Sequence, residues 1–125
     1  MDIAIAVSRD SDDEEKKVGA VVVHTDQLKV LGVGSNKLPI EGLITGPQVT
    51  GNSGFVHAER NAIDNCSMLD ASPRKMYVTL SPCINCAKYI EESNIEEVIY
   101  LKEHNKEGIE YLLEKSIKVK QHKVD

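Results

Sequence analysis

Apolar positions along the chain recur with two different spacings, and the changes between them separate predicted helices from predicted strands. The apolar residues within 2–9 recur at a helical spacing, which predicts a helix there. The acidic run Ser11 to Glu15 predicts a solvated turn. Val18 to His24 is almost continuously apolar and β-branched, which is typical of a buried strand. Leu28 to Gly34 is predicted to pair with this strand, and Thr25-Asp26-Gln27 is then the turn of a hairpin.

The second half of the chain alternates between the two spacings. The predicted helices cover residues 57–66, residues 83–92 and Glu107 to Lys115, and the predicted strands cover Lys75 to Leu80, Ile95 to Leu101 and Ile117 to Lys120. Because a helix separates the last two strands, we expect them to run parallel. A hairpin followed by this alternation predicts an α/β fold with a mixed sheet and helices on both faces. The length suits a single domain, residues 1–125.

The stretch from residue 35 to residue 56 shows neither spacing clearly. It contains Pro39, Pro47 and four of the eight glycines, and it ends directly at His57. Long irregular segments in compact domains are usually functional or disordered. Because of its position before His57, we expect this stretch to form the wall and lid of a pocket.

The composition narrows the class of partner. The net charge is −5, and the aromatic residues are four Tyr and one Phe with no Trp. A surface that binds a polynucleotide needs clustered Lys and Arg, so a small-molecule substrate is favoured and a polynucleotide is not. The apolar run Ile3 to Val7 is too short to span a membrane. Three Cys, two of them in one C-x-x-C pair, indicate a reducing compartment, so we expect a cytoplasmic protein.

Four residues form the pattern that bears chemistry. His57 is followed by Glu59, and Cys83 and Cys86 follow Pro82 at a two-residue spacing. Zinc takes imidazole and thiolate ligands, and a site with three protein ligands keeps its fourth position open for water. The alternatives are a closed structural site, a redox pair, and for Glu59 a carboxylate that stabilises the start of a helix. Cys66 is the remaining Cys and is poorly placed to be a fourth ligand.

The predicted helices explain how these residues meet. His57 and Glu59 fall in the first turn of one helix, while Cys83 lies near the N-cap of the next and Cys86 one turn further on. A thiol at a helix N-terminus has a lowered pKa, which favours the thiolate that a metal binds. We therefore expect two helix N-termini to converge on one metal ion.

H-x-E together with P-C-x-x-C is the signature of zinc-dependent nucleobase deaminases. From about Lys17 to Leu101 the chain resembles the cytidine/deoxycytidylate deaminase superfamily, and residues 17–23, 57–63 and 76–83 most resemble compact phage and bacterial dCMP deaminases. The resemblance implies a three-layer αβα sandwich around a five-stranded mixed sheet. It also implies one Zn²⁺ per chain, which activates water, and Glu59 as the proton shuttle. The implied reaction converts dCMP to dUMP and ammonia and supplies dUMP for dTMP synthesis.

The resemblance also suggests residues that contact the substrate. Similar deaminases have an Asn that binds the sugar at the position of Asn36, and their backbone near the metal His and the first Cys recognises the base. The candidates are Asn36, Ala58, Arg60 for a phosphate, Ser81 and His104, where relatives often have Tyr. The alternatives are an ordinary turn residue for Asn36, close helix packing for Ala58, a surface side chain for Arg60 and a solvated loop residue for His104.

Regulation and assembly are further implications of the resemblance. Such enzymes are commonly activated by dCTP and inhibited by dTTP, and Lys37 and Glu41 are the candidates for binding a triphosphate with Mg²⁺. The family usually has Tyr-Asn-Gly-x-Pro where this chain has Ser35-Asn36-Lys37-Leu38-Pro39. This departure bears on any effector site in the loop. The resemblance implies a homo-oligomer, specifically a hexamer, that does not bind membranes. The expected location is the cytoplasm or, for a viral protein, the host cytoplasm.

Other functions remain open at this stage. A deaminase acting on tRNA adenosine, guanine, or free cytosine or cytidine shares parts of the signature, although free cytidine deaminases usually have Cys at the position of His57. A tRNA deaminase is expected to carry a basic face. A non-enzymatic zinc module is the alternative from a different class.

Overall fold

The computed structural model describes residues 1–26, 29–39, 55–66 and 73–123. These ranges contain four helices and five strands. They are, in chain order, α1 (Asp2–Ser8), β1 (Gly19–His24), β2 (Val30–Ser35), α2 (Ala58–Asp64), β3 (Arg74–Leu80), α3 (Ile84–Glu92), β4 (Ile95–Lys102), α4 (Lys106–Glu114) and β5 (Lys118–Gln121). The predicted elements are confirmed with small differences at their ends. Gln27, Leu28 and residues 40–54 of the predicted lid lie outside the described residues.

The five strands form one mixed sheet in the order β2-β1-β3-β4-β5. Strand β1 is antiparallel to both β2 and β3, whereas β4 is parallel to β3 and to β5. The predicted hairpin pairing and the predicted parallel last pair are therefore both confirmed. Helix α4 supplies the crossover that a parallel connection requires.

Helices cover both faces of the sheet, as predicted for an αβα sandwich. On one face, buried side chains of β1, β3 and β4 pack with α2, α3 and α4; they include Val22, Met76, Val78, Val98, Ile90 and Leu112. On the other face, Ala4 of α1 packs against Val21 and Val23. Each large apolar side chain that is fully buried in this way contributes about 1.5–3 kcal/mol. Among the described residues, no helix is long and apolar enough to cross a membrane.

The topology brings four chain segments to the same edge of the sheet. Gly19 at the start of β1 pairs with Ser35 at the end of β2, and Ala20 pairs with Val78 close to the end of β3. Leu80 and Lys102 pair where the parallel strands β3 and β4 end. The segments that follow or precede these ends therefore lie side by side, which is where α/β proteins place their ligands.

Helix α4 packs unusually close to the turn that begins α3. A Cβ atom on Gly108 would lie 1.9 Å from the carbonyl oxygen of Pro82, directly before Cys83. Glycine inside a helix is less favourable than Ala by about 1 kcal/mol. Its presence here indicates that the approach of the two backbones outweighs this loss.

We predict that Gly108→Ala lowers the free energy of unfolding by about 1–3 kcal/mol, because the added methyl group overpacks this contact. Urea unfolding of the variant measures the change. Glu110→Ala is the control, since Glu110 is exposed on the same helix, and we expect a change within about 0.5 kcal/mol. A Gly108→Ala protein as stable as the wild type would contradict the close packing.

Candidate metal centre and active site

His57, Cys83 and Cys86 each place one donor atom within 4.8 Å of the other two. The His57 Nδ1 atom lies 3.1 Å from Cys86 Sγ and 3.5 Å from Cys83 Sγ. Tetrahedral zinc with bonds of about 2.0–2.3 Å requires donor separations of roughly 3.5–3.8 Å. The three side chains therefore fit a zinc ion with only small adjustments.

Two helix starts hold these donors. His57 is the N-cap of α2 and Cys83 is the N-cap of α3, both with extended backbone, and Cys86 lies one turn into α3. Neither cap side chain makes a capping hydrogen bond. The positive ends of both helix dipoles point toward the donor group and favour thiolates there. The predicted convergence of two helix N-termini is thus observed.

The two thiols have different proton affinities. A hydrogen bond from Cys86 stabilises the Cys83 thiolate and lowers the pKa of Cys83 to about 4, although burial opposes this shift. The same hydrogen bond, together with burial, raises the pKa of Cys86 well above its usual value. One thiolate is therefore available at neutral pH, and a metal ion that binds both sulfurs displaces the remaining proton.

Glu59 lies in the first turn of α2 and is only 4% exposed. Burial raises the pKa of its carboxyl group, and the nearby His57 opposes this shift only in part. Its carboxyl group also hydrogen-bonds the Cys86 thiol. A carboxyl group whose pKa is raised above its ordinary value holds a proton more readily, which suits a group that must accept a proton and return it.

A cavity of about 570 Å³ opens beside these four residues. Its volume lies within the range of roughly 300–1,000 Å³ typical of small-molecule sites. Four of the predicted substrate residues line it, namely Asn36, Ala58, Ser81 and His104. Arg60 and Lys37 are not among the described residues of its lining, and Glu41 lies outside the described part of the chain.

Asn36 is engaged mainly with the segment before β1. Its Oδ1 accepts hydrogen bonds from the Val18 amide at 2.9 Å and from the Ser11 hydroxyl at 2.5 Å, and its Nδ2 donates to the Lys16 carbonyl at 2.8 Å. One amide hydrogen remains for a substrate. The predicted solvated turn is wrong at Ser11, whose side chain is buried and donates a hydrogen bond to Asn36.

Ser81 anchors the loop that carries His104. Its hydroxyl oxygen accepts hydrogen bonds from the backbone N–H groups of His104 at 2.8 Å and Asn105 at 3.2 Å. Its own backbone N–H donates to Lys102 at 2.9 Å. Ala58 is completely buried and offers the cavity little beyond its backbone.

Lys16 is a cavity residue that the sequence patterns did not single out. Its Nζ lies 3.2 Å from His104 Nε2, and it is the one Lys or Arg among the described residues of the lining. Asp13, Asn85 and Glu107 are further lining residues that were missed. The position of Lys16 in the chain could have identified it, because Lys16 precedes a strand whose start lies at the same sheet edge as the metal donors.

The two other predicted cationic residues have protein partners. The Arg60 guanidinium lies 3.8 Å from the centroid of the Tyr89 ring. Lys37 hydrogen-bonds the Asp10 carbonyl and lies 3.7 Å from an Asp12 carboxylate oxygen. Neither contact directs these cations into the cavity.

A His-x-Glu turn facing a Pro-Cys-x-x-Cys turn beneath a mixed sheet is the arrangement of the zinc-dependent nucleobase deaminases. The chain belongs to the family described as cytidine and deoxycytidylate deaminase zinc-binding region, which residues 1–102 match.

Named relatives come from animals and phages. A deoxycytidylate deaminase of Mycobacterium phage D29 is 39% identical over 117 residues, covering 81% of this chain and 90% of the relative. The mouse deoxycytidylate deaminase is 35% identical, and the match covers 81% of this chain but only 61% of the mouse protein. The structure of the cyanophage S-TIM5 dCMP deaminase in complex with dCMP and dUMP superposes with a TM-score of 0.79 at 28% identity, covering 97% of this chain and 92% of that chain.

We predict that Cys83→Ser reduces bound zinc from about one ion per chain to a substoichiometric amount, because a serine hydroxyl is a poor zinc ligand compared with thiolate. Elemental analysis after gel filtration measures the content. Cys66→Ala is the matched control, since Cys66 is buried and its thiol donates to the Ala62 carbonyl rather than joining the donor group. Equal zinc content in the two variants would rule out the proposed ligand set.

Proposed function

We propose that this chain hydrolyses dCMP to dUMP and ammonia with one zinc ion held by His57, Cys83 and Cys86. The observation that carries the proposal is the buried Glu59 carboxyl group beside a His–Cys–Cys donor group at the wall of a nucleotide-sized cavity. The named relatives and the dCMP-bound phage structure support dCMP as the substrate.

Glu59 carries the proton chemistry in this proposal. Zinc in such a site lowers the pKa of bound water toward ~7 and so supplies a nucleophile at neutral pH. Glu59 accepts a proton from the attacking water and delivers it to ring N3 as the new C4–O bond forms. Glu59 then accepts the proton of the new C4 hydroxyl group and transfers it to the amino group, so that ammonia leaves as the C4–N bond breaks and the C4 carbonyl of dUMP forms.

The lining residues divide recognition between base, sugar and phosphate. The backbone around Ala58 and Ser81 faces the base, and Asn36 has one amide hydrogen for the sugar. A nucleotide phosphate brings a charge of about −1.5 to −2. We assign it to Lys16 with His104, because their side-chain nitrogens are adjacent at the cavity and Lys16 is the one Lys or Arg in its described lining.

The contacts of Lys37 bear on the predicted regulation. Lys37 already contacts Asp10 and Asp12, so a triphosphate at Lys37 would have to replace these interactions. The family resemblance remains the basis for predicting activation by dCTP, inhibition by dTTP, a role for Mg²⁺ and a hexamer. Arg60 is not part of the proposed phosphate site.

We predict that Glu59→Gln retains zinc and fold but slows dCMP turnover by about 10²–10⁴-fold, since a positioned general acid–base group contributes this much. Ammonia release from zinc-loaded protein measures the rate. Glu96→Gln, an exposed change on β4, controls for the loss of one carboxylate and should leave the rate unchanged. Wild-type turnover by the zinc-loaded Glu59→Gln protein would exclude the mechanism.

We predict that the wild type prefers dCMP over deoxycytidine. We also predict that Lys16→Met raises KM for dCMP by about tenfold or more, because the hydrogen bond between the Lys16 ammonium group and the substrate phosphate is lost. KM for deoxycytidine should barely change. Initial rates with dCMP, deoxycytidine, CMP, dCTP and deoxyadenosine test both the substrate and the assignment. Lys118→Met, an exposed change on β5, is the charge control. An equal effect on dCMP and deoxycytidine would remove Lys16 from the phosphate site.

A further inference from the structure

The two helices that carry the metal donors are joined on their outer side by a cluster of three residues. Arg60 and Asp64 lie one turn apart on α2, and both contact Tyr89 of α3. The Arg60 guanidinium stacks on the Tyr89 ring at 3.8 Å, and the Tyr89 hydroxyl donates to Asp64 Oδ1. We call these three residues the α2–α3 clamp.

The clamp lies close to the donors along both helices. Arg60 follows His57 by three residues, and Tyr89 follows Cys86 by three residues. At 1.5 Å rise per residue, Arg60 and Tyr89 are each roughly 4.5 Å along the helix axis from a metal donor, whereas Asp64 lies roughly 10.5 Å from His57 along α2. A change in the spacing of the helices at the clamp is therefore transmitted to the separation of His57 from the two cysteines.

The core holds each of these helices against the sheet, and the clamp adds a direct link between them. The buried residues of α2 are Ala58, Glu59 and Ala62, and α3 contributes Cys86, Ala87 and Ile90. The side chains of Asn61 and Asn65 also hold α2 on β2 through hydrogen bonds to the carbonyl groups of Ser35 and Val33. A zinc site tolerates bond lengths only within about 0.2 Å of their normal values.

We propose that Arg60, Asp64 and Tyr89 are positioning residues that hold α2 and α3 at the separation His57, Cys83 and Cys86 need to bind zinc. The inference rests on the proposed zinc site. The aromatic face and the phenol hydroxyl of Tyr89 act as two attachment points, so that they constrain both the distance and the rotation of α3 against α2. Outer interactions that orient metal ligands typically change metal affinity by about 10–100-fold.

The test measures zinc affinity by competition with a chromophoric chelator in the full-length chain. We expect Tyr89→Phe and Asp64→Ala each to raise the zinc Kd by about tenfold, at the low end of that range because the clamp acts through the helices. The double variant should show about the same tenfold loss, since both changes remove one bond. Asp64→Asn keeps a hydrogen-bond acceptor, so its zinc Kd should lie within about twofold of the wild-type value.

A second measurement separates positioning from general stability. Cobalt substituted for zinc gives absorption bands that report the coordination geometry, and we expect these bands to shift in Tyr89→Phe at saturating metal. Tyr77→Phe is the matched control, because Tyr77 belongs to the cluster on the opposite face of the sheet. It should leave both the Kd and the cobalt spectrum unchanged.

The outcomes distinguish the two proposals. A wild-type chain that does not bind zinc would overturn both the zinc site and the clamp. A wild-type chain that binds zinc, with Tyr89→Phe and Asp64→Ala equal to it in Kd and spectrum, would overturn the clamp alone. Independent, multiplicative losses in the double variant would likewise contradict a shared bond between Tyr89 and Asp64.

Discussion

The convergence of two helix N-termini on one point is the constraint from which the active site follows. One imidazole and two sulfurs lie within 4.8 Å of one another, in positions that leave the first turns of α2 and α3 aimed at the same place. Such crowding of groups that each bind protons is unfavourable unless a cation or hydrogen bonds compensate. Here the hydrogen bond between the thiols lowers the pKa of Cys83 and raises that of Cys86. The pair therefore holds one thiolate and one thiol, and a divalent ion bound to both sulfurs would displace the remaining proton.

The sheet topology determines what surrounds this point. Because β1 runs antiparallel to its two neighbours, its start lies beside the ends of β2 and β3, and β4 ends there too. The segments carrying Lys16, Asn36, Ser81 and His104 are consequently brought to the metal donors. The side chains of Asn36 and Ser81 hydrogen-bond the backbone of neighbouring segments, so the cavity walls are connected to the strands.

Local patterns predicted much of this arrangement, because the information lay within short windows of sequence. Periodicity and the residues around Pro82 predict the element order, the parallel last pair and the positions of His57 and Cys83 at helix starts, although His57 is the N-cap of α2 and not part of its first turn. What the sequence did not reveal depends on distant partners. The Lys16–His104 contact joins residues 88 positions apart, and Ser11 reaches Asn36 across 25 positions. Arg60 was a reasonable phosphate candidate by charge, but only the fold shows the Tyr89 ring beneath it.

The chemical and recognition functions of the site have different structural supports, and this separation has consequences for specificity. Glu59 and the metal donors are held by the starts of α2 and α3 and by the packing around them. Lys16 and His104 are exposed at the opening of the cavity, and each is attached through backbone contacts that do not depend on its side chain. If the phosphate binds Lys16 and His104 as proposed, substitutions at these two positions alter the preference for a phosphate-bearing substrate while leaving the metal centre intact. The same argument predicts that substrate preference varies more readily among related chains than the deamination chemistry does.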